Sequence, residues 1–198
     1  MNNNLHELVF IVDKTASSVQ YENATSEIFK ALVKSQKDVD CGANVTISSF
    51  GAENTILFQA KPIEKVRWTS KLLGEHSGVN CFLDASLDTI NEVGKRLADT
   101  PEEERPAIVI VTMTVLGRDN ASKKTTYDML REIIEHQSYV YKWKFFLVTD
   151  FSINMEKLGI SPDDTIILSN GSSPKDKIKE LSNKITEYRH EVMRGCEE

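Results

Sequence analysis

Three stretches of this chain are apolar without alternation: Leu8-Val9-Phe10-Ile11-Val12, Ile108-Val109-Ile110-Val111 and Phe145-Phe146-Leu147-Val148. A strand wetted on one face alternates apolar and polar residues, and one that does not must be covered on both faces. A sheet covered above and below needs helices between its strands. Helical spacing runs from about Tyr21 to Gln36, with Ile28, Phe29, Leu32 and Val33 on one face. It recurs from Cys81 to Ala98, through Leu83, Leu87, Ile90, Val93 and Leu97. Two further helices read from about Lys123 to Gln137 and from Ser173 to Met193. The last opens with a hydroxyl at the N-cap and Pro174 at the first helical position.

The remaining runs are shorter. Ala43–Phe50 alternates, and Thr55–Ala60 returns after Gly51-Ala52-Glu53-Asn54, a turn short enough to predict an antiparallel hairpin. Pro62–Glu75 reads as loop, short helix or both. A short helix (Ile153–Leu158) and a short strand (Thr165–Leu168) complete the order β-α-β-β-α-β-α-β-α-β-α. That order predicts an α/β fold with a mostly parallel sheet, one antiparallel edge strand and helices on both faces. The 198 residues, with no repeat or linker, are expected to form a single domain over 1–198.

Composition narrows the function classes. A net charge of −6 with scattered Lys and Arg argues against a nucleic-acid partner. The N-terminus, Met1-Asn2-Asn3-Asn4-Leu5-His6-Glu7, has no basic n-region, and the apolar run after it is one strand long. The expectation is a cytoplasmic protein with no membrane partner. Cys41, Cys81 and Cys196 include no CxxC pair, so Cys41 and Cys81 are expected to be semi-buried small apolar residues. His76, His136 and His190 read as surface residues, Trp68 and Trp143 as packing residues, and Glu102-Glu103-Glu104 as a solvated loop.

The first apolar run ends at Asp13-Lys14-Thr15-Ala16-Ser17. Asp-x-Thr-x-Ser at a strand end puts three oxygen side chains on one loop, an arrangement that holds hard cations such as Mg²⁺. Ligands of open α/β sheets sit at the carboxyl ends of the strands. Here that means the loops Asp13–Ser18, His76–Cys81 and Met113–Ser122, which should converge. The plainer alternatives stay open. Asp13 can brace loops, Thr15, Ser17 and Ser18 can cap the first helix, and Asn80 can cap the helix beginning at Cys81.

These residues resemble the von Willebrand factor A-type family. Val9-Phe10-Ile11-Val12-Asp13-Lys14-Thr15-Ala16-Ser17 is similar to its first motif, Asp-x-Ser-x-Ser. Gly78-Val79-Asn80-Cys81-Phe82-Leu83-Asp84-Ala85 is similar to the second, where Gly-x-Thr opens a helix. Ile108-Val109-Ile110-Val111-Thr112 resembles the third strand, which in the family ends at Asp-Gly. Asp119-Asn120-Ala121-Ser122, Thr125-Thr126 and Tyr141–Leu147 look like a bacterial and phage-like branch. The resemblance implies a three-layer, Rossmann-like fold with a six-stranded sheet in the order 3-2-1-4-5-6, the third strand antiparallel.

It also implies a metal-ion-dependent adhesion site binding Mg²⁺ or Mn²⁺, with a partner carboxylate completing the octahedron. Asp13, Thr15 and Ser17 match its first motif, and Asn80 replaces the threonine. Met113 stands where the third aspartate is expected and Thr114 where the glycine is, in a loop lengthened before Asn120; Asp119 is a candidate substitute. A thioether suits a hard cation poorly. The expected function is therefore a non-catalytic intracellular protein-binding module with a weak or empty Mg/Mn site. The alternative is a metal-dependent module that recruits an acidic side chain of its partner. An enzyme is not expected, since no phosphate-cradling glycine motif or nucleophile elbow is present. A Mg²⁺-dependent hydrolase or phosphotransferase using Asp13 would want a second carboxylate at Thr15.

Overall fold

The computed structural model describes residues 1–16, 18, 22–150, 155–169 and 173–195, so Ser17 and Cys196 lie outside the described residues. Strand β1 (Asn2–Asp13) is the middle of the sheet. It pairs in parallel with β2 (Gly42–Phe50) on one side and β4 (Pro106–Val115) on the other. β3 (Asn54–Pro62) runs antiparallel to β2 at one edge, and β5 (Lys144–Thr149) and β6 (Thr165–Ile167) extend the other edge in parallel. The order is β3-β2-β1-β4-β5-β6, as expected.

Alternate residues of the apolar runs face opposite layers. Leu8, Phe10 and Val12 pack with Phe29, Leu32 and Val33 of α1 (Glu22–Lys37) and Leu181 and Ile185 of α4 (Pro174–Gly195). Val9 and Ile11 pack with Phe82, Ile90 and Val93 of α2 (Phe82–Asp99) and Leu130 and Ile134 of α3 (Tyr127–Tyr141). These are the three layers that continuous apolar strands demand. The ambiguous Pro62–Glu75 segment resolves into two 3-10 turns, Ile63–Lys65 and Ser70–Leu73. Its Ile63, Val66, Trp68 and Leu73 close the α1 side, where Trp68 stacks on Phe29 at 4.6 Å. No helix among the described residues is long and apolar enough to cross a membrane.

Three boundaries differ from expectation for identifiable reasons. β1 begins at Asn2 rather than Leu8, because the polar His6 and Glu7 are fully buried strand residues with partners on neighbouring elements. α3 begins at Tyr127 rather than Lys123. The N–H groups of Lys123, Lys124 and Thr125 donate instead to the Asp84 carboxylate at 2.8, 3.1 and 2.8 Å, and Thr126 then caps the helix through Met129 N–H. β4 continues to Val115, past Met113 and Thr114, because both remain paired with β5. Of the expected Ile153–Leu158 helix, Met155–Leu158 is a 3-10 turn, and residues 153 and 154 lie outside the described residues.

Candidate functional site

The three loops expected to converge do so through backbone hydrogen bonds. Past the end of β1, Lys14 N–H donates to Phe50 C=O at 2.9 Å. Ser77 N–H then donates to Lys14 C=O at 3.0 Å and Ala16 N–H to Ser77 C=O at 2.7 Å, a one-residue parallel bridge between the first and second loops. The third loop joins through Asn120 and Ala121, whose N–H groups donate to Asn80 C=O at 3.0 and 2.9 Å. Gly51 lets the β2–β3 turn pass beneath, its C=O accepting Cys81 N–H at 2.9 Å. A Cβ at Gly51 would lie 2.3 Å from the Ser77 Cβ, so only glycine permits this approach.

Asp13 is the hub and has no exposed surface. Its Oδ1 accepts Thr15 N–H at 2.7 Å. Its Oδ2 accepts Leu116 N–H at 2.7 Å and, more weakly, the Asn80 amide Nδ2 at 3.4 Å. Burial pushes its pKa up, partly offset by Thr15 and by the N–H groups of Leu116 and Gly117. The Thr15 hydroxyl contributes to that offset, yet it is buried with no hydrogen bond of good geometry.

Asn80 is 3% exposed. Its Oδ1 accepts Phe82 N–H at 2.9 Å, an N-terminal bond of α2, and its Nδ2 donates to Gly117 C=O at 3.2 Å. The partners fix the amide orientation, since an N–H must meet Oδ1 and two oxygens must meet Nδ2. Asp119 also serves α2. Its Oδ2 accepts Leu83 N–H at 2.8 Å and the Ser122 hydroxyl, its Oδ1 accepts Ser122 N–H at 3.1 Å, and Ser122 Oγ accepts Asp84 N–H at 3.0 Å. The first three free N–H groups of α2 thus go to Asn80, Asp119 and Ser122. His76, expected at the surface, is only partly exposed and lies 3.4 Å from Ser18 Oγ. Cys81 is buried, its thiol pushed up to about 11 by burial and by Asp119 and Asp84, so it stays protonated at neutral pH.

No protein-family model matches the sequence, and no curated protein does. Solved structures match through the fold. Proximal thread matrix protein 1 from the mussel byssus superposes with a TM-score of 0.63 at 13% identity, over 95% of this chain and 47% of that one. A form of the same protein with a zinc-occupied MIDAS motif gives 0.59 at 13% identity, over 93% and 47%. Manganese-loaded TRAP protein of Plasmodium vivax gives 0.57 at 14% identity, over 91% and 73%. The fold is of the von Willebrand factor A type. The chain spans about half the length of the mussel protein.

The strand that carries Met113 runs further than the sequence suggested. Met113 is not at the strand end. It sits inside β4 with no exposed surface, against α2 and α3. β4 ends at Val115, so Leu116 and Gly117 are the first residues past the strand. Leu116 is 2% exposed and packs in the core of the α1 and α4 layer, contributing its N–H rather than a charge to Asp13.

Among the described residues, which do not include Ser17, the arrangement presents no set of oxygens converging on a hard cation. Asn80 aims an N–H donor at Asp13, both Asp13 oxygens already accept N–H groups, and both Asp119 oxygens are bonded to α2 and Ser122. Of the candidate oxygens among the described residues, the Thr15 hydroxyl is buried without a hydrogen-bond partner of good geometry. The signal missed in the sequence was Gly117. A glycine after the last apolar residue marks a strand end better than the first polar substitution does.

Proposed function

We propose that this chain is a non-catalytic, intracellular protein-binding module of the A type, of the bacterial and phage-like branch, whose partner docks on the loops at residues 13–18, 77–81 and 116–124 without a bridging metal ion. The observation that carries this reading is the Asn80 amide donating to Asp13 and Gly117 C=O, which puts a donor where a cation would need an oxygen. The rim supports a partner with acidic side chains: Arg118, Lys123 and Lys124 are exposed there, beside Val79 at 41% exposure. The non-enzymatic reading is supported by the burial of Asp13, whose carboxylate has no exposed surface and is engaged by the backbone N–H groups of Thr15 and Leu116.

A second reading, a metal-dependent module recruiting a partner carboxylate, is favoured by the spare hydroxyl of Thr15 and by the zinc- and manganese-bearing neighbours. Calorimetric titration with Mn²⁺ and Mg²⁺ separates the two. No saturable heat is expected in the unmodified protein. Saturable binding that vanishes in Asp13→Ala overturns the metal-free reading.

A further inference from the structure

At the pole of the sheet opposite Asp13, α2 and α3 part to leave a cleft of about 500 Å³, within the size range of small-molecule sites. Its floor is the start of β4, Pro106–Val109, and its walls are Leu97, Ile133 and Trp143. Three further observations point to a ligand.

Gly94 interrupts the middle of α2, where glycine costs about 0.5–1 kcal/mol against alanine. A Cβ there would meet Gln137 Nε2 at 3.6 Å and Trp143 Cη2 at 4.0 Å, ordinary contacts, so packing does not demand the glycine. What its absent side chain leaves is room in the cleft. Gln137 lines the cleft, and its side-chain amide opens on that space rather than onto a hydrogen-bond partner among the described residues.

The charged side chains that line the cleft, Lys95 and Arg105, are both cationic, although Lys95 also borders Glu92 and Asp99 on its other side. Lys95 makes no ion pair among the described residues, and Arg105 donates to the Thr100 and Ala98 carbonyls at 2.7 and 2.9 Å. No carboxylate lines the cleft, in a chain whose net charge is −6.

We propose that this cleft binds an organic anion with an apolar body, a carboxylate of aliphatic or aromatic kind. The body lies against Trp143, Ile133 and Leu97. The carboxylate faces Lys95 and Arg105, and the Gln137 amide bonds to it. The site is separate from the Asp13 loops, and its failure would leave the metal-free docking reading untouched.

The chain has two tryptophans, so Trp68→Phe leaves Trp143 as the sole reporter inside the cleft. Titration of that variant with anilinonaphthalene sulfonate, read by energy transfer from Trp143, is expected to saturate at one site. Decanoate should displace the dye, and decanol at equal concentration should not. Lys95→Glu, an exposed change that leaves the packing alone, should weaken dye and decanoate binding about tenfold. Gly94→Leu, which fills the cleft, should abolish both; if it fails to fold, Lys95→Glu decides. Non-saturable energy transfer, or affinity unchanged in Lys95→Glu, overturns the site, and displacement by decanol as effective as by decanoate overturns its preference for an anion.

Discussion

Single residues in this molecule act through the hydrogen bonds they absorb. Removing the Asp13 carboxylate by Asp13→Ala orphans Thr15 N–H, Leu116 N–H and the Asn80 amide. Stranded buried donors should destabilise by about 3 kcal/mol in urea unfolding, with relief of the desolvated charge limiting the loss. Asp13→Asn should lose less, since its Oδ1 still satisfies one N–H. His6 is a second such residue. It is buried on β1, and its Nδ1 accepts from Arg189 Nε at 3.0 Å. Burial, and then the Arg189 charge, lower its pKa from 6.5 to about 4. The unfolded chain therefore binds the extra proton between those values, and the native state loses stability as pH falls through that window. Glu7 and Asp13 are shifted up by burial, so their protonation favours the native state and opposes this trend. Comparing the parent with His6→Gln, which keeps an acceptor for Arg189, isolates the imidazole. The parent should lose about 2 kcal/mol more than the variant between pH 7 and pH 4.5 in chemical denaturation.

Helix starts, at the scale of elements, are set by side chains from distant loops. α2 receives its N-terminal acceptors from Asn80, Asp119 and Ser122, and the Asp84 carboxylate on α2 in turn takes the N–H groups of Lys123 to Thr125. This exchange binds the third loop to α2 and delays the start of α3 to Tyr127. Burial opposes ionisation of Asp84, but these hydrogen bonds outweigh it and hold its pKa below the usual carboxylate range. Asp119→Ala removes the acceptor of Leu83 N–H and the anchor of Ser122, and caps of this kind contribute about 1 kcal/mol or more. The expected result is a lower Tm together with faster hydrogen exchange at Leu83 and Ser122, while β1 amides stay protected. Uniform acceleration across the sheet would mean that Asp119 acts on the whole fold rather than on this junction.

Across the whole molecule, α4 is locked to the far end of the chain by Arg189, which has no exposed surface and no carboxylate partner. Its guanidinium donates to His6 Nδ1, to Gln36 C=O and Oε1 at 2.8 and 3.0 Å, and to Cys41 C=O at 2.7 Å, tying α4 to β1, α1 and the start of β2. Arg189→Ala leaves the His6, Gln36 and Cys41 acceptors unpartnered and a cavity behind, should cost about 3 kcal/mol, and should open the α4 segment to proteolysis before the rest of the chain. The layered α/β fold and the convergence of the three loops were legible in the sequence, while the strand order followed from the resemblance to the A-type family. Continuous apolar strands and amphipathic helices leave few other ways to bury their faces. Asp13, Thr15 and Asn80 were legible as one cluster for the same reason, since strand ends of a parallel sheet collect at one pole. The sequence could not say which way the Asn80 amide turns, that Asp119 caps α2, or that β4 runs on past Met113 to Val115. It also did not reveal that Arg189 is interior, because helical periodicity cannot separate a buried cation from an exposed one. Local pattern determines elements and their order, because periodicity and turns are short-range. Hydrogen-bond partners spaced 36 to 183 residues apart are decided only when the chain is packed, and in this protein those partners set what the Asp13 loops and the α2–α3 cleft can bind.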